Sequence, residues 1–239
     1  MNKKKNIYPK NRIPLPDNYK KIYEKVYKEN RDGTGLANYM SQKMEAWGHT
    51  MIEENFKNKA NHKTLEIGAG NLNHLKYVKN NFQYDVIEPS KFFYENSSNL
   101  KRVKNIYSDI AEIKDEDKYD RIISIMVLEH ILDLPTLLNN AQKILKNGGI
   151  FQASVPCQGE ISFYLGWRLT TGLSFFLKHG LNWGKIMEFE HVNSLSEIQN
   201  ELKKVFKIVK IKRSILPFFL KKKHFSFYAY LECSNTYVK

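Results

Sequence analysis

The sequence is poor in cysteine: Cys157 and Cys233 are its two, and they form no C-x-x-C pair. That excludes a disulfide-stapled scaffold and a cysteine metal framework, and a reducing compartment is expected. No apolar run is long enough to span a bilayer. The opening Met1-Asn2-Lys3-Lys4-Lys5-Asn6 is charged with no apolar run behind it, so no signal peptide is expected and the location reads as cytoplasmic. Acidic residues are in deficit, 25 against 38 Lys+Arg, for a formal net charge of +13. Such a balance suits nucleic acid, an anionic membrane surface or an acidic substrate. The basic residues are mostly lysine and spread along the chain, amid abundant Asn and Ile. That favours compositional bias over a nucleic-acid surface, and a nucleic-acid partner is not expected.

The 239 residues, 42% of them hydrophobic, suffice for one domain with a substantial core. Its organising stretch is Thr64-Leu65-Glu66-Ile67-Gly68-Ala69-Gly70-Asn71-Leu72, read as a buried strand, a glycine turn and the start of a helix. Glycine permits positive φ and lets a ligand sit directly on the backbone. Open α/β sheets bind nucleotide-like ligands at such a turn. A nicotinamide site wants a third glycine, G-x-G-x-x-G, and Asn73 stands in its place. An ordinary tight turn is the plain alternative. Glu66, two residues before the first glycine, is the feature a pyrophosphate site does not need.

Residues 1–60 read as an N-terminal helical cap or lid. Asp17 caps a helix to about Glu29, and a second runs from Leu36 to Lys57 with Tyr39, Met40, Met44, Trp47, Met51 and Ile52 on one apolar face. From Thr64 strands and helices alternate, which argues for a parallel sheet with helices on both faces. The second strand ends at Glu88-Pro89, 18 residues after Gly70, where a carboxylate can accept from vicinal ribose hydroxyls. A helix is expected from about Ser90. The third strand, Val103 to Tyr107, leads to Asp109, placed to accept from an adenine amino group, and Ile110, placed to pack on the ring; a plain helix cap is the alternative for Asp109. The fourth, Arg121 to Val127, is a nearly continuous apolar run ending in Leu128-Glu129-His130. A helix from Pro135 to Lys146 stops at Gly148-Gly149, and the fifth strand is Ile150 to Val155. Residues 157–193 break the alternation with aromatic, glycine-punctuated sequence, read as an insertion on the substrate side. A capping box, Ser194-x-x-Glu197, opens a helix to about Val205. Strands at Phe206–Lys212 and Phe225–Glu232 close the chain as an antiparallel pair.

Taken together, Glu66-x-Gly68-x-Gly70, Glu88, Asp109, Leu128-Glu129-His130 and Lys146-Asn147-Gly148-Gly149 resemble the ordered motifs of class I S-adenosylmethionine-dependent methyltransferases, over residues 61–239. The resemblance implies a Rossmann-like α/β fold: a seven-stranded, mostly parallel sheet with an antiparallel last strand and helices on both faces. It implies S-adenosylmethionine as cofactor, held by Glu66, Gly68, Ala69, Gly70, Glu88, Pro89, Asp109, Ile110 and Met126. The stretches Trp167-Arg168-Leu169-Thr170-Thr171-Gly172-Leu173 and Glu190-His191-Val192-Asn193 resemble bacterial methyltransferases of surface-polysaccharide (lipopolysaccharide or capsule) synthesis. That implies a small sugar-containing acceptor, nucleotide-linked or lipid-linked, methylated on a hydroxyl or amine.

A hydroxyl acceptor benefits from a general base, and His is the usual one near neutral pH. His130 and His191 are the candidates, each with a structural alternative. Arg168 suits a phosphate or carboxylate, Trp167 a sugar face, and Glu190 is a further substrate candidate. Glu129-His130-x-x-Asp133 invites a metal, but Met126 stands where related enzymes carry another carboxylate, so no metal is expected. Rival readings are an RNA methyltransferase, though no Asn/Asp-Pro-Pro-aromatic tetrad follows the fourth strand, and a non-catalytic nucleotide-binding protein. A peripheral contact with an anionic membrane is suggested by residues 206–224, where Phe218, Phe219 and Leu220 mix with Lys and Arg.

Overall fold

A computed structural model describes residues 7–23, 36–56, 62–79, 83–116, 118–215 and 226–235, with side chains of the helix at Leu36–Glu54 described from position 45. The buried apolar runs form a seven-stranded sheet. Its parallel part is β1 (Lys63–Ile67), β2 (Gln83–Ile87), β3 (Asn105–Tyr107), β4 (Tyr119–Ile125) and β5 (Leu145–Pro156). The closing hairpin is β6 (Lys207–Ile215) and β7 (Ser226–Ser234), and β7 lies antiparallel between β5 and β6. The order β3-β2-β1-β4-β5-β7-β6 is the expected mostly parallel, Rossmann-like sheet. Ile122 and Ile123 point to opposite faces and are both fully buried, as a central parallel strand requires.

Helices cover both faces. One core packs α4 (Leu134–Ile144) and α8 (Leu195–Val205) on Leu65, Ile67, Phe151 and Leu231. The other packs α2 (Leu36–Glu54) on Val86, Ile123 and Tyr230 through Ile52. The capping box at Ser194 and Glu197 is formed as expected. Residues 17–23 form α1; the rest of the helix expected to Glu29 lies outside the described residues, as do the side chains of Tyr39, Met40 and Met44. The inserted section is α5 (Ile161–Trp167), a π-helical turn (Arg168–Gly172), α6 (Leu173–His179) and α7 (Trp183–Glu190).

Two expected helices are much shorter. After the glycine turn the chain makes only a 3-10 turn, Asn73–Lys76, entered at Leu72 with φ 64. The carbonyls that would continue a helix are taken by a neighbouring segment: Asn99 donates to Leu72 O at 3.2 Å and Arg102 to Val78 O at 2.8 Å. The helix expected from Ser90 is the single turn α3 (Lys91–Tyr94). α4 ends at Ile144, before the two glycines, because Leu145 already pairs with Tyr119 and its carbonyl accepts from Asn235 at 2.8 Å.

The α2 face is fastened by Arg121, which is 1% exposed. Its guanidinium pairs with Glu53 at 2.8 Å and donates to Ile52 O at 2.9 Å and Gln152 Oε1 at 2.7 Å. Burial alone would raise the Glu53 carboxyl, but the hydrogen bond from His74 and the Arg121 charge prevail and hold it at about 2. Arg121→Met is expected to lose about 3–5 kcal/mol in denaturant unfolding, because it strands the Glu53 charge. Arg121→Met with Glu53→Leu is expected to lose less than the single variant; an equal or larger loss would show that the pair is not what seats α2.

Candidate active site

The strand order reverses between β1 and β4, so the carboxyl ends of β1 to β4 border one crevice. The glycine turn builds its floor. Gly68 and Ala69 donate to Ile87 O at 2.8 and 3.3 Å. Gly68 has φ 72, and a Cβ there would lie 2.4 Å from Val127 Cγ2, so only glycine lets the turn close on the tip of β4. Gly70 has φ 52, and a Cβ there would meet nothing within 4 Å: the backbone faces open space. Its N–H donates to Glu88 Oε2 at 2.8 Å, while Glu88 Oε1 accepts from Ser90 N at 3.0 Å. Each of these oxygens keeps a further lone pair, enough for a ribose hydroxyl. Asp109 caps the next turn, accepting from Ala111 N at 2.8 Å, beside buried Ile110; Pro89 is exposed at the rim. Met126 ends β4 at φ 54, an uncommon conformation for a non-glycine residue.

Glu66 departs from its expected place. It is 3% exposed, buried on the α2 face of the sheet, where it accepts from the Tyr84 hydroxyl at 2.9 Å. Burial pushes its carboxyl up to about 8. It lies in β1 just before the turn as a buried, neutral acid.

Beyond the β4 tip a second cluster forms. The rings of His130 and His191 meet edge to face, 4.9 Å between centroids. His130 Nδ1 donates to Glu190 O at 2.8 Å, and His191 Nδ1 donates to Gln158 Oε1. Each imidazole therefore keeps its Nε2 lone pair. Burial lowers both: His191 falls to about 3, helped by His130 and Arg12, and His130 is also lowered. Burial also pushes Glu129 up to about 8, and its Oε2 is buried without a partner. Burial raises Glu190 as well; its carboxylate accepts from the Tyr23 hydroxyl and lies 3.3 Å from His130 Nδ1. Glu129, His130 and His191 each offer one ligating atom, all within 4.8 Å of one another. Asp133 stands apart from this group and caps α4, while His191 arrives from the insertion.

Two substrate candidates fall elsewhere. Trp167 packs on the core, its ring 3.2 Å from where a Gly172 Cβ would be, so its face is already filled. Arg168 is exposed, over the Tyr164 ring at 4.5 Å. Neither borders the cavity of about 480 Å³ that contains His191, which Lys10, Asn11, Ile13, Gln158 and Glu188 help to line.

The sequence reading missed Arg12, Gln158 and Asn193 as site residues. Arg12 donates to Phe189 O at 2.7 Å, Glu190 O at 3.1 Å and His130 O at 3.1 Å, binding the N-terminal segment to the histidines. Asn193 donates to Leu128 O at 2.9 Å and Ile131 O at 2.7 Å and holds the insertion's exit against the β4 loop. Asn193 stands in the stretch Glu190-His191-Val192-Asn193, but no local pattern gives its partners or marks Arg12; both act across more than sixty positions of sequence.

A family model described as a methyltransferase domain matches residues 36–207, more than half of the chain. No curated protein matches this sequence. Among solved structures, the chain is similar to a Thermotoga maritima SAM-dependent methyltransferase described as a possible histamine N-methyltransferase, at 14% identity and TM-score 0.60 over 90% of this chain and 99% of that one. It is also similar to the N-methyltransferase NodS of Bradyrhizobium japonicum, at 15% identity and TM-score 0.56 over 81% and 97%. The [4+2]-cyclase SpnF shares the fold at 12% identity and TM-score 0.55 over 79% and 80%. These likenesses are of fold.

Glu66 yields a pH test. Its folded value lies above the ordinary carboxyl value of 4.5, so its contribution is fully present below 4.5 and is lost as pH rises through about 8. Glu66→Gln is expected to raise the melting temperature above pH 8 and to flatten stability between pH 4.5 and 8, with S-adenosylmethionine binding kept. Loss of binding in a folded Glu66→Gln protein would return Glu66 to the cofactor's ligands.

Proposed function

This chain belongs to the methyltransferase-domain family and depends on S-adenosylmethionine, and from that premise we propose that it methylates a hydroxyl or amine of a small sugar-containing intermediate of surface-polysaccharide synthesis. The observation that carries the reading is the pair of neutral imidazoles, His191 and His130, in edge-to-face contact, of which His191 lines the cavity. Lys10, Asn11, Gln158 and Glu188 give that cavity donors and acceptors of the kind that recognise a polyhydroxylated molecule.

The crevice suits the cofactor because the Gly70 backbone opens on free space and Glu88 has acceptor capacity left. Gly68, Ala69, Gly70, Glu88, Pro89, Asp109, Ile110 and Met126 would hold it, Glu88 at the ribose, with Asp109 and Ile110 at the adenine. When bound, S-adenosylmethionine supplies a methyl group on a sulfonium, open to in-line displacement. His191, its tautomer set by the Nδ1–H bond to Gln158, takes the proton of an acceptor hydroxyl, and His130, fixed by the Glu190 carbonyl, packs edge to face on the His191 ring and orients it. Glu190 accepts a hydrogen bond from the acceptor. The N-terminal segment, tethered through Arg12 and Lys10, forms one wall of the cavity, the part of the N-terminal cap or lid that reaches the acceptor. The insertion supplies the acceptor side. The centre works without a metal: with Glu129 a neutral acid and both imidazoles neutral, the cluster balances its charge without a cation. The enzyme acts in the cytoplasm, on a soluble or membrane-anchored acceptor; no helix of the described residues is long and apolar enough to cross a membrane.

With a hydroxyl acceptor, His191→Ala is expected to lower kcat by about 10²–10⁴ while S-adenosylmethionine binding stays unchanged. Because His191 stays neutral far below pH 6, wild-type kcat is expected to be level from pH 6 to 9, and EDTA to leave it unaltered. Full activity of His191→Ala would remove the base, and chelator-sensitive activity would remove the metal-free reading.

A further inference from the structure

Helix α5, the π-helical turn and α6 run on as one rod over residues 161–179, roughly 28 Å long at 1.5 Å per residue. Its inner side is settled. Phe163 and Phe175 are buried, and a Cβ on Gly166 would lie 2.1 Å from the Phe227 ring. Its outer side carries Ile161, Leu165, Leu169, Leu173 and Leu177, from 48% exposed at Leu165 to 76% at Leu177. Tyr164 and Phe176 widen the stripe and are also exposed. A soluble surface rarely shows so many contiguous apolar side chains without a use for them.

The π-helical turn explains how they stay together. Four steps of four residues overshoot four α-helical turns by about 160°, which would swing Leu177 toward the protein. The extra residue absorbed at Arg168–Gly172 takes back about 100°, so both halves present their leucines on one side. The irregularity thus preserves an outward apolar face where a regular helix would bury half of it.

The charge around this face selects what it meets. Residues 161–179 include no Asp or Glu, and Arg168 stands exposed within the stripe over Tyr164. Lys178 is exposed at the far end. At the near end Glu160 pairs with Arg213 of the edge strand β6 at 3.1 Å, and that strand exposes Lys210 and Lys212. A second copy docked face to face would force two Arg168 side chains into one apolar contact. An anionic bilayer surface takes the leucines into the acyl boundary and the basic groups among its headgroups. We propose that the outward face of residues 161–179 is a docking surface for an anionic lipid bilayer, with the helix lying in the plane of the interface. This deepens the membrane-side part of the function proposed above and moves it from residues 206–224, of which 216–224 lie outside the described residues, onto the insertion. The surface would bring the cavity at His191 to an acceptor anchored in that bilayer.

Co-sedimentation of the full chain with vesicles tests it, using phosphatidylcholine alone and phosphatidylcholine with an equal part of phosphatidylglycerol. Wild type is expected to partition at least about tenfold more onto the anionic vesicles and to be released by high salt. Leu169→Glu with Leu177→Glu, both at exposed positions, is expected to lose about tenfold or more of that binding while S-adenosylmethionine binding is kept. No wild-type binding, or equal binding by the variant, would overturn the proposal. So would a wild-type dimer in light scattering that the double variant abolishes, since a second copy would then own the face. Cofactor titration is independent of vesicles, so failure here leaves the methyl-transfer reading standing and failure there leaves this one.

Discussion

The binding edge of this protein depends on the Glu88 carboxylate. It is 7% exposed and accepts from the backbone of Gly70 on one side and of Ser90 on the other. A hydrogen bond to a carboxylate is about twice as strong as one between neutral groups, so this one residue joins the loops after β1 and β2. Its own N–H donates to Tyr107 O at 2.9 Å and adds the end of β3. On the other flank Gly68 admits Val127, which sets the level of the β4 tip. Met126 is strained there, and Leu128-Glu129-His130 begins the second cluster. The crevice and the histidine pair are therefore parts of one packed unit, and a shift in the glycine turn would be felt at His130.

The two halves of that unit use opposite electrostatics. Under the turn, Arg121 and Glu53 are both charged, and their mutual attraction fastens α2 across the sheet. Around the histidines, burial keeps His130, His191 and Glu129 in their neutral forms. Only a neutral imidazole can receive a proton, and burial keeps both rings in that form across the neutral range. Arg12 gives its N–H groups to backbone carbonyls beside them, which holds the N-terminal segment down without adding a counter-ion to the cluster.

The sheet could be read from sequence because period and burial agree: the run from Arg121 to Val127 is nearly all apolar, and two faces of helices must cover it. The glycine turn was legible for a similar reason, since its backbone geometry is a local demand. What escaped reading was settled over distance. The helix expected after Gly70 was pre-empted by Asn99 and Arg102 taking its carbonyls. Glu66 sits beside the glycines in sequence, yet strand alternation turns it onto the α2 face, toward Tyr84. The aromatic setting of Trp167 and Arg168 suggests a substrate-facing pair, but the phase of one helix decides that, and it points them inward and outward. Arg12 reaches His130 across the whole fold, which no local pattern encodes.

The measurement that tests the account most directly is a calorimetric titration of S-adenosylmethionine and, separately, NAD into wild type and Glu88→Ala. The account predicts binding of S-adenosylmethionine alone, weakened by more than about 1.4 kcal/mol, or tenfold, in the variant. Absence of binding to folded wild type, a preference for NAD, or unchanged affinity in Glu88→Ala would contradict it.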